Sequence, residues 1–409
     1  MIVRRFLLWA RDASAQQRAD GARALAASYL DGKLDPADRI EAETAFLALT
    51  QDASPLPRLA LAEVFASAAQ APRSLVIALA ADGGEAAAIM LRLSPRFSDA
   101  ELVDSAAIGD PATQIAVASR ETVSLEVAAA LAEIGCVAAL AALLANSNAE
   151  IMPGSFERML ERSGENPLLR EALLARPDLP PSLRQKIAAS VSQSLTAFVT
   201  GCGWLTAERS ERVARDSTER VAIDLAATSD SEDLLQLVNG LRADGRLTPA
   251  LMLRAMVFAE PALAEASFAV LSGLPLNRVV SLMYERRSSG FASLYRKAQL
   301  PAPLMRAFSA AVAALNEFGF QDSRLNKAKL ARRILERVIS ACEHDGASAG
   351  GLLALLRRFE ADCAREEARH IAETLADDAA LTLVIQADPG LLIEHAADHL
   401  AWRVSKMAA

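Results

Sequence analysis

The sequence predicts an all-α protein, an α-solenoid of short helix pairs followed by further helical repeats or a helical bundle. Three observations carry this expectation. Apolar residues make up 52% of the chain and aromatics only 5%, alanine and leucine dominate, and β-branched residues are too scattered for alternating strands. From Asp52 to about Ser192, apolar positions recur at helical spacing in segments of about ten residues, separated by short joints carrying Pro, Gly, Asp or Ser. Leu75, Leu102 and Val127 occupy similar places at intervals of about 25–27 residues, a period that suits two short helices per unit.

Taken in order, helices are expected over 13–30 and 36–50, joined by Asp31-Gly-Lys-Leu-Asp-Pro36. The array follows as 55–70, 72–82, 84–93, 98–108, 111–119, 124–134, 136–145, 149–162, 167–176 and 180–191, with Asp82 and Asp110 closing two successive units. Residues 52–192 are expected to share one continuous apolar core, since helices this short do not bury their faces alone. Around Gly201-Cys-Gly-Trp204 two glycines interrupt an apolar stretch, which reads as a domain joint. The stretch Asp244–Met283 organises the second half. Thr248 is an N-cap candidate, Pro249 sits where a helix needs no N–H, Pro261 opens a second helix, and Gly273 closes it before Leu274-Pro275 begins a third. A glycine-rich break over 343–351 sets off two or three C-terminal helices. The expected division is therefore 1–51, 52–200, 206–341 and 350–409.

One small pattern recurs at helix starts: an apolar residue, then Pro, Ser or Thr, two further residues, and a second apolar residue. It appears as Val123…Val127, Leu179…Leu183, Leu247…Leu251 and Leu300…Leu304, with Arg120, Arg176 and Lys297 three residues before three of them. Helix starts draw on few residue types, so the pattern reads either as common capping chemistry or as a true repeat.

The run Leu247-Thr-Pro-Ala-Leu-Met-Leu-Arg-Ala-Met256, with Phe268-Ala-Val-Leu-Ser-Gly-Leu-Pro-Leu-Asn-Arg-Val-Val280 and Tyr295-Arg-Lys-Ala-Gln-Leu-Pro301, resembles a family of uncharacterised alphaproteobacterial proteins defined by a domain of unknown function. Leu59-Ala-Leu-Ala-Glu63, Ala118-Ser-Arg120 and Leu144-Ala-Asn146 are similar to its HEAT-like N-terminal portion. The resemblance covers roughly 35–340 and implies helix packing without any chemistry. Where this chain has Val257-Phe-Ala-Glu260 the resemblance implies a Gly-Asp pair, a departure that alters one helix joint.

A formal charge of −8 suits an acidic soluble protein and argues against a dedicated nucleic-acid binder. The balance is uneven: residues 278–337 hold twelve Lys or Arg against four Asp or Glu. Arg286, Arg287, Arg324, Lys327, Lys329, Arg332, Arg333 and Arg337 form the candidate surface for an anionic partner, interleaved with Tyr284, Phe291, Tyr295, Phe308, Phe318 and Phe320. The alternative is a face that neutralises acidic helices of the same chain.

No phosphate loop, zinc-protease, nucleophile-elbow or EF-hand motif is present, and the four cysteines form no Cys-x-x-Cys pair, which fits reduced thiols. All four histidines, His344, His370, His395 and His399, fall near the C-terminus. Glu367-Ala-Arg-His370 and His395-Ala-Ala-Asp-His399 have ligand-like spacing, but a di-iron bundle needs a second Glu-x-x-His and two more glutamates. Structural or surface histidines, with no metal and no cofactor, are expected. The N-terminal apolar run before Arg11 is too short for a secretory signal, and no membrane-length apolar span occurs, so a cytoplasmic location is expected. The leading functional expectation is a non-enzymatic scaffold or adaptor for a protein partner. A regulator binding an anionic ligand or nucleic acid through 278–337, and a metal enzyme using the C-terminal histidines, are the alternatives.

Overall fold

The computed structural model of the chain describes residues 2–285, 288–318, 324–343 and 350–387. Among these there is no strand, only an isolated parallel bridge between Val123 and Ala149. The chain divides into two compact units, 1–187 and 188–409.

The first unit begins with α1 (Ile2–Ala10), α2 (Ala15–Leu30), α3 (Pro36–Thr50), α4 (Pro55–Phe65), α5 (Arg73–Ala81) and α6 (Gly84–Leu93). It continues with α7 (Asp99–Ile108), α8 (Pro111–Ala118), α9 (Leu125–Ile134), α10 (Val137–Ala145), α11 (Pro153–Ser163), α12 (Pro167–Ala175) and the first turns of α13 (Pro181–Gly201). The starts follow from capping chemistry. Pro36, Pro55, Pro111 and Pro167 occupy first-turn positions where an N–H has no helical partner, and Asp35, Ser54, Asp110 and Asn166 cap those helices through their side chains. Ser14 with Gln17 and Ser98 with Glu101 form complete capping boxes.

Even helices pack on even neighbours from α2 through α12, while α1 packs on α3, α3 on α5, α7 on α9, and α9 on α11. Leu75, Leu102 and Val127 are the buried residues near the starts of α5, α7 and α9, so the spacing read in the sequence is the spacing of one row of helices. Asp82 follows α4 and α5, and Asp110 follows α6 and α7. Each stands between an odd helix and the even helix after it, Asp82 ending α5 and Asp110 capping α8. The core of this unit is not one body. Residues from Val3 to Met90 form one buried cluster and residues from Leu91 to Ile187 another, meeting at α6 and at Phe97, which packs on both. Helices α1 to α3 share the first cluster with α4 and α5.

Links between successive helices of the even row explain the recurring polar residues. Arg120, just past α8, donates to the carbonyls of Leu91 and Ser94 at the end of α6. Asn146, just past α10, donates to Ala118 O at 3.2 Å and Arg120 O at 2.7 Å at the end of α8. Arg176, just past α12, donates to Asn146 O at 2.7 Å and Ala149 O at 3.2 Å. Arg162 does the same in the odd row, from the last turn of α11 to Ala132 O and Gly135 O. Each side chain satisfies carbonyls that a helix end leaves without partners, at the terminus whose dipole favours a cation.

The second unit comprises the rest of α13, α14 (Ala207–Thr228), α15 (Ser231–Ala243), α16 (Pro249–Val257), α17 (Ala262–Ser272), α18 (Leu276–Met283) and α19 (Ser288–Lys297). After a 3-10 turn at Ala302–Leu304 come α20 (Met305–Phe318), α21 (Arg324–Glu343) and α22 (Gly350–Ala387). Helix α17 packs on α14, α15, α16, α18 and α19. Around it Phe268, Phe291, Tyr295 and Phe308 form one aromatic cluster with ring centroids 5.5–6.3 Å apart. The interleaved aromatics Phe291, Tyr295 and Phe308 are thus core. The stretch 350–387 is a single helix, uninterrupted by Pro or Gly after Gly351, and the rest of the expected C-terminal helices, 388–409, lies outside the described residues.

No single described helix is long and apolar enough to cross a membrane. Helices α17 and α18 together have the length and apolarity, but they bend by 113° at their joint, and Leu263, Phe268, Val279 and Met283 are buried inside the unit.

Helix α16 ends with an alanine in the left-handed region. Ala259 N donates to Met256 O and Glu260 N to Ala255 O, a Schellman closure that puts Ala259 at φ 61°. The same closure after α2 and α15 uses Gly32 and Gly245. A left-handed conformation costs an L-residue roughly 1–2 kcal/mol, whereas glycine adopts it freely. Ala259→Gly is therefore expected to stabilise the second unit by about 1 kcal/mol, raising Tm by roughly 2–4 °C in a thermal melt. Gln299, exposed and at φ 55° after α19, should respond in the same direction.

The chain's three tyrosines give a second check. Tyr29 donates to Glu43 at 2.6 Å, Tyr284 to Glu265 at 2.6 Å, and Tyr295 to Pro301 O at 2.7 Å. Burial, reinforced for Tyr29 and Tyr284 by the neighbouring carboxylate, pushes all three phenols up, Tyr295 to about 12. An unfolded tyrosine ionises near pH 10, so the stability these groups contribute is complete below that pH and lost as pH rises toward the folded values. An alkaline titration should show tyrosinate absorbance appearing together with loss of helical circular dichroism, not before it.

Candidate functional site

The basic segment was the strongest chemical signal in the sequence. Arg286 and Arg287 lie outside the described residues, as does the side chain of Arg324. Helix α21 buries Leu330, Ala331, Ile334, Leu335, Val338 and Cys342 and turns its cations outward. There most of them meet partners. Lys327 donates to Glu260 at 2.5 Å, and Arg332 lies 3.3 Å from Glu336 and 3.7 Å from Glu367. Arg337 lies 3.6 Å from Glu317, and Arg333 stacks 4.2 Å from the Phe318 ring centroid. Lys329 is exposed. Exposed pairs such as Arg332–Glu336 add little to stability, roughly 0–1 kcal/mol, but they lower the field the helix presents.

The residue that sequence reasoning missed is Arg254. It sits in α16 inside a run, Leu251–Val257, in which every side chain is buried, and it is itself only 1% exposed. Its guanidinium reaches Glu219 at 2.9 Å and Asp216 at 3.3 Å on α14, and Asp362 at 3.2 Å on α22. Phe258 and Phe359 flank it with ring centroids 5.4 Å away. Further arginines surround the carboxylates: Arg365 lies 2.5 Å from Asp362, and Arg358 lies 3.4 Å from Asp216. A buried cation needs several hydrogen-bonded counter-charges, and this one has three from two other helices. The available signal was a lone arginine within an unbroken apolar helix.

Beside this network opens a cleft of about 520 Å³, lined by Arg220, Arg254, Phe258, Glu260, Lys327 and Cys363 among others. Arg220 is held loosely: its Nη2 is 3.9 Å from Asp362 Oδ1, and its buried Nε has no hydrogen-bond partner among the described residues. The cleft therefore joins the basic segment, through Lys327, to the buried arginine, with Glu260 neutralising Lys327 across it.

His344, His395 and His399 lie outside the described residues, as does the side chain of His370. Among the described residues no three His, Cys, Asp or Glu side chains converge as metal ligands.

Comparison with curated proteins and with solved structures finds no match. A family model, that of uncharacterised proteins conserved in bacteria designated DUF2336, matches residues 86–346. The matched span contains the linking residues Arg120, Asn146 and Arg176, the Ala259 joint and Arg254. The chain belongs to the DUF2336 family of bacterial proteins.

Proposed function

We propose that this protein is a non-enzymatic, cytoplasmic helical-repeat scaffold, and that its first unit is an α-solenoid of HEAT-like helix pairs presenting one row of helices to a protein partner. The observation that carries this reading is a repeated exposure in the odd row. Helices α3, α5, α7 and α9 each leave an isoleucine in solvent: Ile40, Ile77, Ile108 and Ile134. Single exposed apolar residues are ordinary, but their recurrence on four odd-numbered helices is what a face built to meet a partner would show. The links through Arg120, Asn146, Arg162 and Arg176 support a stiff spacing of such a face.

The test is affinity capture of the tagged chain from its own host, in parallel with an Ile77→Glu/Ile108→Glu variant. Surface changes of this kind usually alter stability by less than about 0.5 kcal/mol each, so Tm should hold. The expected result is a stoichiometric protein retained by the wild type and lost by the variant. Equal retention by both defeats the reading.

A second reading, a regulator binding an anionic ligand, draws support from the cleft where Arg220 has an unused donor beside Lys327. Its test is a thermal-shift titration with inorganic phosphate and with a nucleoside triphosphate. A saturable rise in Tm that Arg220→Ala abolishes supports it, and no shift removes it.

A further inference from the structure

The most unusual surface of the second unit is the hairpin made by the distal half of α13 and the start of α14. From Ile187 to Ala207 there is no charged side chain. Such a stretch is ordinarily core, yet here it is mostly solvent-exposed. Val191, Leu195 and Phe198 recur at helical spacing along α13 with 43%, 59% and 58% of their surface exposed, and Val213 on α14 is 56% exposed. The turn completes the patch. A Schellman closure, with Trp204 N donating to Val199 O at 3.2 Å and Gly203 at φ 70°, folds Trp204 back so that its ring stands edge-on to Phe198 at 5.8 Å. Trp204 is 70% exposed even so. Beside the turn the hydroxyls of Thr200 and Ser210 meet at 2.8 Å, which ties the end of α13 to the first turn of α14.

We propose that this hairpin is a self-association surface whose occupant is the same hairpin of a second copy of the chain. Two arguments choose that occupant. The first is electrostatic. Each chain carries −8, so two copies repel except where a contact is free of like charge, and this uncharged stretch provides such a contact. Its rim on α14 carries Glu208, Arg209, Glu211 and Arg212, all exposed, two of each sign and with Arg212 already 2.9 Å from Glu208, so the rim adds no net like charge to a twofold contact. A lipid surface would instead favour a cationic excess on that rim. The second argument is area. Buried aromatic side chains contribute 150–250 Å² each, so two aromatics and three aliphatics at these exposures present on the order of 500 Å² per copy, at the upper end of what monomers leave open. Doubled across a twofold axis and extended by Ala197 and Ser194 alongside, this reaches the roughly 1,200 Å² at which specific interfaces begin.

The surface is independent of the isoleucine row proposed for a protein partner, so either proposal can fail without the other. The test is sedimentation velocity of the full-length protein across a wide dilution series, with Leu195→Asp and Phe198→Glu as variants and Ile108→Glu as control. The expected result is a mass of twice 43.4 kDa for the wild type and the control, falling to 43.4 kDa for both hairpin variants while helical circular dichroism is unchanged. A single-chain mass for the wild type at every concentration overturns the proposal, whatever the variants do. So does a dimer that survives both substitutions, or wild-type binding to anionic phospholipid vesicles in place of self-association.

Discussion

Replacing Arg254 with alanine is expected to lower the stability of the second unit by about 3–5 kcal/mol, the largest single effect in the molecule. The substitution leaves Asp216, Glu219 and Asp362 facing a vacated buried site, with Asp362 only 6% exposed and unable to recover its hydration. It also removes the flat cation between Phe258 and Phe359. At roughly 2–4 °C per kcal/mol for a unit of this size, Tm should fall by roughly 6–20 °C. Arg254→Lys should not rescue it, because an ammonium cannot place two donors on α14 while a third reaches α22. Lys329→Ala, exposed on α21, serves as the control and should change little. A loss below about 1 kcal/mol for Arg254→Ala would show that the carboxylates are adequately served by Arg358 and Arg365.

Arg254 also marks where the sequence stops being legible. Helix starts are written in adjacent residues, so the starts expected at Pro36, Pro111, Pro167 and Pro249 fall on the residue. Ends were less readable where the closing residue lacks a distinctive side chain. Helix α4 stops at Phe65, five residues short of the expected end, with only alanines and a serine marking the exit. The candidate basic surface was legible as composition, but its neutralisation was not. Glu260 lies 67 residues from Lys327 and Glu367 on another helix from Arg332, and neither glutamate differs locally from any exposed one. Asp362 lies 108 residues from Arg254 for the same reason. Charge pairing over such distances depends on tertiary packing, which helical periodicity does not encode. The polar residues at helix ends were an intermediate case. Arg120 and Arg176 recur visibly in the sequence, but their role depends on carbonyls at the end of the preceding even helix, which the sequence does not bring beside them.

Those end residues carry the second large effect. Arg176 is 7% exposed and serves two carbonyls, Asn146 O at the end of α10 and Ala149 O in the loop after it, while Asp178 holds its guanidinium from the other side at 2.6 and 2.8 Å. Hydrogen bonds made by charged donors contribute about 1.5–3 kcal/mol, and orphaned buried carbonyls cost more than the bond alone. Arg176→Ala is therefore expected to destabilise the first unit by about 2–3 kcal/mol. Because Asn146 passes the link onward to Ala118 and Arg120, the effect should not be local. In a double-mutant cycle by denaturant unfolding, Asn146→Ala and Arg176→Ala should couple by more than about 0.5 kcal/mol, since the first removes what the second helps to position. Arg162→Ala, in the odd row, should instead add to Arg176→Ala with no coupling. Additivity of Asn146 with Arg176 would mean that each end is closed independently, and the stiffness invoked for the isoleucine row would lose its physical basis.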